Sequence, residues 1–121
     1  MEDFEKTQFD KFKTAMLEAI AFTDLENPDC EVFGAELSED SANAMEGDAM
    51  QFWLRCRHLI EPSSIEQAGH DFWLTRNGHG SGFWDRPDGF YFGYQDFFTK
   101  QSELQGAVAV YLGDDGKAYT S

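Results

Sequence analysis

Phe9, Phe12, Met16 and Ile20 recur at steps of three and four residues, so on a helix they fall on one face as a single apolar stripe. A helix of that kind is marginal alone in water and gains most of its stability from what covers the stripe. The spacing therefore predicts a helix between Phe4 and Phe22 that forms one wall of a larger core. Met45, Ala49, Phe52, Cys56 and Leu59 repeat the pattern and predict a second wall. Ser38 or Ser41 supplies the N-cap oxygen of that second helix, which is expected to end near Glu61-Pro62, because the residue before a proline is pushed out of the helical region. The stretch from Asp24 to Glu36 carries Asn27, Pro28, Asp29 and Gly34 without a period. It reads as an irregular connection from which Val32 and Phe33 tuck into the core.

The two stripes and the rest of the 121 residues are of a size for one core, so a single domain spanning 1–121 is expected. With 41% hydrophobic and 16% aromatic residues the chain has ample material to fill it. After a short helical turn through Ser64 to Gly69, the texture changes to aromatics broken by glycines. Phe72-Trp73-Leu74-Thr75-Arg76, then Asn77-Gly78-His79-Gly80-Ser81-Gly82, then Phe83-Trp84-Asp85-Arg86 predict a β-hairpin around a Gly-rich turn. Its large apolar groups on both faces call for cover on both sides. Pro87-Asp88-Gly89 reads as a turn. Tyr94, Phe97, Phe98 and Leu104 predict a third helix closed by Gly106. Ala107 to Leu112, the turn Gly113-Asp114-Asp115-Gly116 and Lys117-Ala118-Tyr119 predict a second hairpin. The expected class is α+β: two N-terminal helices, a β-hairpin, a third helix and a C-terminal β-hairpin, forming a small antiparallel sheet packed on helices.

Charge narrows the function classes. With 9 Lys and Arg against 23 Asp and Glu, the formal net charge is −14, which repels phosphate backbones and anionic lipid and disfavours direct binding to either. No run approaches the ~18 apolar residues of a membrane span, and the acidic start Met1-Glu2-Asp3-Phe4-Glu5 lacks the basic and apolar regions of a secretory signal. The acidity is also localised. Residues 1–50 hold 14 acidic and 3 basic groups, residues 51–121 hold 9 and 6, and Thr14 to Leu54 contains ten carboxylates without one Lys or Arg. Within that band Glu31, Glu36, Glu39, Asp40, Glu46 and Asp48 are the candidate protein-binding residues. Such a band can present carboxylates in place of phosphates to a basic, nucleic-acid-binding groove. A purely solubilising role for an aromatic-rich chain is the alternative.

A second constellation lies in the other half. His70, Asp71, Arg76, Asn77, His79, Asp85 and Arg86 fall within 17 residues. A histidine beside a carboxylate can act as a general base, and Arg with Asn near a Gly-rich turn can hold an oxyanion or phosphate, so these are candidate ligand-binding residues for a nucleotide or phosphoester. The structural alternative is that Asp71 pairs with Arg76 or Arg86 while Asn77 and the glycines set turn geometry. Gly78, Gly80 and Gly82 lack the strand-then-helix context of a dinucleotide fingerprint. The His and Asp spacings match no zinc module and Asp114-Asp115-Gly116 no calcium loop, so neither metal nor cofactor is expected. Cys30 and Cys56 form no CxxC pair and read as free thiols. Although Arg55 and Arg57 flank it, Cys56 lies on the apolar stripe and reads as core packing.

The continuous stretch Ala68-Gly69-His70-Asp71-Phe72-Trp73-Leu74-Thr75-Arg76-Asn77-Gly78-His79-Gly80-Ser81-Gly82-Phe83-Trp84-Asp85-Arg86 resembles the signature of a family of small phage-encoded hypothetical proteins. The helix through Asp48 and Phe52 and the closing Gly113-Asp114-Asp115-Gly116 before Tyr119 are similar to the same family, whereas the aromatic run Phe90-Tyr91-Phe92-Gly93-Tyr94 departs from its pattern. The resemblance implies a phage origin and a place in the cytoplasm of the infected bacterial host, and it carries no assigned activity or cofactor. Together with the acidic band it leads to the expectation of an accessory protein that inhibits or modulates a host nucleic-acid-handling or defence enzyme, the alternative being a nucleotide- or phosphoester-binding protein or enzyme that uses the His70–Arg86 hairpin.

Overall fold

The computed structural model describes residues 2–87 and 90–121. The expected turn at Pro87-Asp88-Gly89 falls on Asp88 and Gly89, which lie outside the described residues. Among the described residues four α-helices, α1 (Asp3–Ile20), α2 (Glu39–Cys56), α3 (Ile65–Arg76) and α4 (Gln95–Gln105), are followed by a two-stranded antiparallel sheet of β1 (Val110–Leu112) and β2 (Ala118–Thr120). The class is α+β and mostly helical.

α1 buries the predicted stripe, with Phe9, Phe12, Met16 and Ile20 all in the core. A π-helical turn, Ala21–Leu25, extends it, and the indole N–H of Trp73 donates to Thr23 Oγ1 at 2.9 Å to fasten that turn to α3. α2 begins at the predicted cap, where Ser38 Oγ accepts the N–H of Ser41 at 3.1 Å. Its α-helical hydrogen bonding ends at Cys56 and passes into a 3-10 turn at Arg57–Leu59 before Pro62. In the connection, Val32 is buried as expected, but Phe33 stays 56% exposed.

The first expected hairpin is replaced by helix. Residues 65–76 form α3, residues 77–82 are its exit loop, and Phe83–Asp85 is a 3-10 turn. A short run rich in aromatic and β-branched residues has the same local signature in a strand and in a helix buried nearly all round, and α3 is the latter. Ile65, Ala68, Gly69, Asp71, Phe72, Trp73, Thr75 and Arg76 are all buried. The contact with α1 is close because Gly69 has no side chain: a Cβ there would collide with the Phe12 carbonyl oxygen and lie 2.7 Å from Ala15 Cβ.

The cover that the two-faced run demanded is supplied by rings. Phe52 lies 4.4 Å from Phe72 and 5.8 Å from Phe83, centroid to centroid, and Phe83 lies 5.1 Å from Phe98 and 5.0 Å from Tyr91. Aromatic pairs at these separations add specific offset and edge contacts to area burial. The C-terminal hairpin pairs Val110 with Thr120, Tyr111 with Tyr119 and Leu112 with Ala118, as the turn residues predicted. Its second strand is seated on α2 by an isolated parallel bridge between Leu37 and Ala118 and by the N–H of Thr120 donating to Ser41 Oγ at 2.9 Å.

Candidate functional site

The exit loop and 3-10 turn bring Arg86 back onto α3, where it meets Asp71. Asp71 has no solvent exposure. It accepts two hydrogen bonds from Arg86, Nη2 to Oδ1 at 2.6 Å and Nε to Oδ2 at 3.0 Å, one from Tyr91 Oη at 2.6 Å and one from Gln67 Nε2 at 3.0 Å. A carboxylate so deeply placed needs a paired cation and filled lone pairs, and this one has both. Burial first, and then the Asp71 carboxylate, push the Tyr91 phenol above its ordinary value. The hydrogen bond from Arg86 to Asp71 raises the guanidinium further still. Tyr91 and Phe92 take a left-handed backbone, each with φ 52°. That conformation is rare for bulky residues and costs of order 1–3 kcal/mol where it occurs, and here it aims the Tyr91 hydroxyl at Asp71.

Other members of the constellation are tied into the frame. Arg76 donates from Nε to Gly106 O at 2.7 Å and from Nη2 to Gln105 O at 3.1 Å, closing the C-terminus of α4, and pairs with Asp48 at 2.9 Å. Asn77 donates to Trp73 O at 3.1 Å and accepts the N–H of Val108 at 2.7 Å, which anchors the approach to β1. Asp85 accepts the N–H of Gly82 at 3.1 Å. The histidines are not brought together. His70 lies 3.7 Å from Glu18 in a groove beside α1, and His79 lines a separate open depression with Asp24, Asn77 and Val108. Among the described residues no group of three or more His, Cys, Asp and Glu side chains is placed to hold a metal ion. Cys30 and Cys56 are free thiols.

The acidic band divides in two. Glu46 pairs with Lys13 at 2.8 Å and Asp48 with Arg76, and both carboxylates are only partly exposed. Glu31, Glu36, Glu39 and Asp40 remain exposed. The backbone of Glu36 and Ser38 bonds to Ala118, at 2.8 Å in each direction, so the start of α2 adjoins the hairpin and its Asp114-Asp115 turn. Tyr119 joins the two sides. Its hydroxyl donates to Asp115 at 2.6 Å, its ring lies 6.0 Å from that of Tyr111, and that hydrogen bond first, with the negative charges of Asp115 and Asp40 adding to it, holds its phenol above the ordinary value. Glu36, Glu39, Asp40, Asp114 and Asp115 thus form one acidic end built from two distant chain segments. The contribution of the hairpin turn to this end is a feature that local charge counting missed, because it depends on the bridge between Leu37 and Ala118.

Among the described residues no helix is long and apolar enough to cross a membrane. Comparison with protein-family models, curated proteins and solved structures finds no match to the chain.

Proposed function

We propose that this chain is a phage-encoded accessory protein that docks its acidic end on the basic, nucleic-acid-handling surface of a host enzyme, such as a defence nuclease, and inhibits or modulates it. The observation that supports the reading is the convergence of Glu36, Glu39 and Asp40 with Asp114 and Asp115 at one end. With Lys117 the one cation of the same turn, these five carboxylates keep a net negative charge that costs the free protein repulsion, and that repulsion is relieved when a cationic partner covers them. Glu46 and Asp48 belong to the frame in this reading, since each already has its cation within the fold.

The test is capture from a bacterial host extract with the wild-type chain and with a variant carrying Glu36→Gln, Glu39→Gln, Asp40→Asn, Asp114→Asn and Asp115→Asn. The expected result is a nucleic-acid-binding enzyme retained by the wild type at low salt, released at high salt, displaced by added duplex DNA and absent with the variant. Partners held equally by both chains and indifferent to salt would overturn the proposal.

A further inference from the structure

The groove between the end of α1 and α3 has a volume of about 630 Å³, within the range of small-molecule sites. It is independent of the acidic end. Three kinds of group carry its apolar and charged character. Ala19, Ala21, Phe22 and Leu74 give an apolar floor and wall, Arg86 contributes a guanidinium, and Glu18 and Glu26 contribute carboxylates, while Thr23, Gln67, Ser81 and His70, the last 3.7 Å from Glu18, complete the lining.

The orientation of Arg86 decides what that guanidinium can do. Its side edge, Nε and Nη2, is committed to Asp71, and Asp71 is itself held by Tyr91 and Gln67. The end-on edge, Nη1 with the second proton of Nη2, makes no hydrogen bond among the described residues. A planar guanidinium fixed along one edge presents the other as a preorganised two-pronged donor, the geometry that a carboxylate matches. A phosphate or nucleotide fits poorly. Asp71 already neutralises the cation, and Glu18 and Glu26 add negative charge to the same groove, so a ligand of net negative charge is repelled. A ligand that satisfies all three kinds of group carries a carboxylate, an ammonium and an apolar body.

We infer that this groove binds a small zwitterion of the amino-acid type with an apolar side chain, its carboxylate on the end-on edge of Arg86, its ammonium toward Glu18 and Glu26, and its side chain over Ala21 and Leu74. The π-helical turn at Ala21–Leu25 widens the end of α1 beside the groove, and such single-turn insertions are frequent at functional sites.

Three probes that share one apolar body separate the contributions: L-phenylalanine, 3-phenylpropionate, which lacks the ammonium, and 2-phenylethylamine, which lacks the carboxylate. Titrations on the full chain, followed by amide and Arg Nε resonances, are expected to move Ala21, Phe22, Leu74, Ser81 and Arg86. L-phenylalanine is expected to bind with a Kd on the order of 1 mM, as suits so small a ligand, and about tenfold tighter than either single-charge probe, the scale of a charge-assisted bidentate contact. Replacing Glu18→Gln and Glu26→Gln together removes two exposed carboxylates, of which Glu18 has His70 at 3.7 Å. It is expected to weaken L-phenylalanine by about fivefold, the modest effect of solvent-screened charges, and so to cut its advantage over 3-phenylpropionate to about twofold or less. The inference is overturned if the amine or the acid binds the wild type as tightly as the zwitterion, if the shifts map to another surface, if the double variant is indifferent, or if no saturation is reached by about 10 mM.

Discussion

A carboxylate without solvent contact has to be matched by its neighbours, and Asp71 is matched on every side by Arg86, Tyr91 and Gln67. Asp71→Ala leaves Arg86 and the Tyr91 hydroxyl without their acceptor, and breaking such a pair costs about 3 kcal/mol or more. Asp71→Asn keeps one acceptor oxygen and is expected to cost distinctly less. Urea unfolding of the two variants checks the order, and equal losses would mean that the charge, which both variants remove, rather than packing sets the value of this position. The two thiols differ just as sharply. Burial pushes Cys56 up to about 12 from its ordinary 9.0, whereas Cys30 is only partly covered. A neutral, enclosed thiol is a poor nucleophile, so one equivalent of thiol reagent is expected to react with the native chain and a second only after unfolding. The sign of the pH effect follows from the same shift. With the folded value above the unfolded one, the unfolded chain releases the proton first, so stability linked to Cys56 is intact below about 9 and declines as pH rises from there toward 12. Tyr91, also raised by burial, acts in the same direction. Melting midpoints measured across the alkaline range should fall.

At the scale of elements, the glycines of two helices make opposite predictions. Gly69→Ala gains up to about 1 kcal/mol of helix propensity but drives a Cβ into the Phe12 carbonyl and Ala15, and overpacking at backbone costs about 1–3 kcal/mol. The steric term wins, and the variant is expected to melt lower. Gly47 lies in α2 with nothing within 4 Å of an added Cβ, so Gly47→Ala should stabilise by about 0.5–1 kcal/mol. Thermal unfolding of the pair reads both signs. The contrast also marks what the sequence made legible. α1, α2, α4 and the closing hairpin carry one-sided patterns or turn residues at fixed offsets, and these are local signals. α3 keeps only a narrow outer edge of Glu66, Gln67, His70 and Leu74, and its period is obscured because the polar Asp71, Thr75 and Arg76 are buried along with Phe72 and Trp73 against α1, α4 and the aromatic cluster. Its helical state is a consequence of tertiary packing that local preference does not record. The candidate site was legible only in part for the same reason. The Asp71–Arg86 pair was among the alternatives that the sequence offered, but the partners of Asp48 and Glu46, at Arg76 and Lys13, come from distant segments. An acidic run contiguous in sequence is therefore not contiguous on the surface.

For the whole molecule, the charge of −14 opposes compaction, and the fold answers it unevenly. Lys13, Arg57, Arg76 and Arg86 each meet a carboxylate across the structure, yet the acidic end keeps Glu36, Glu39 and Asp40 exposed. Added salt shortens the range of that repulsion to about 8 Å at physiological ionic strength, so the melting midpoint at neutral pH should rise with NaCl, by about 4 °C for each kcal/mol relieved. Two effects then compete in the variant Glu36→Gln, Glu39→Gln and Asp40→Asn. Removing three negative charges relieves repulsion at that end. Glu39 and Asp40 also occupy the first turn of α2, where a carboxylate is favourable to the helix dipole by about 0.3–1 kcal/mol each at low ionic strength. Ser38 keeps its cap in either case. The terms are similar in size and opposite in sign, so at low salt the variant should melt within a few degrees of the wild type, and its midpoint should depend less on NaCl. Scanning calorimetry of both chains across a salt series measures the two slopes. A parallel dependence would place the repulsion elsewhere on the surface, whereas a flatter slope in a fully folded variant would tie it to the acidic end and make loss of partner binding in that variant a property of the surface rather than of the fold.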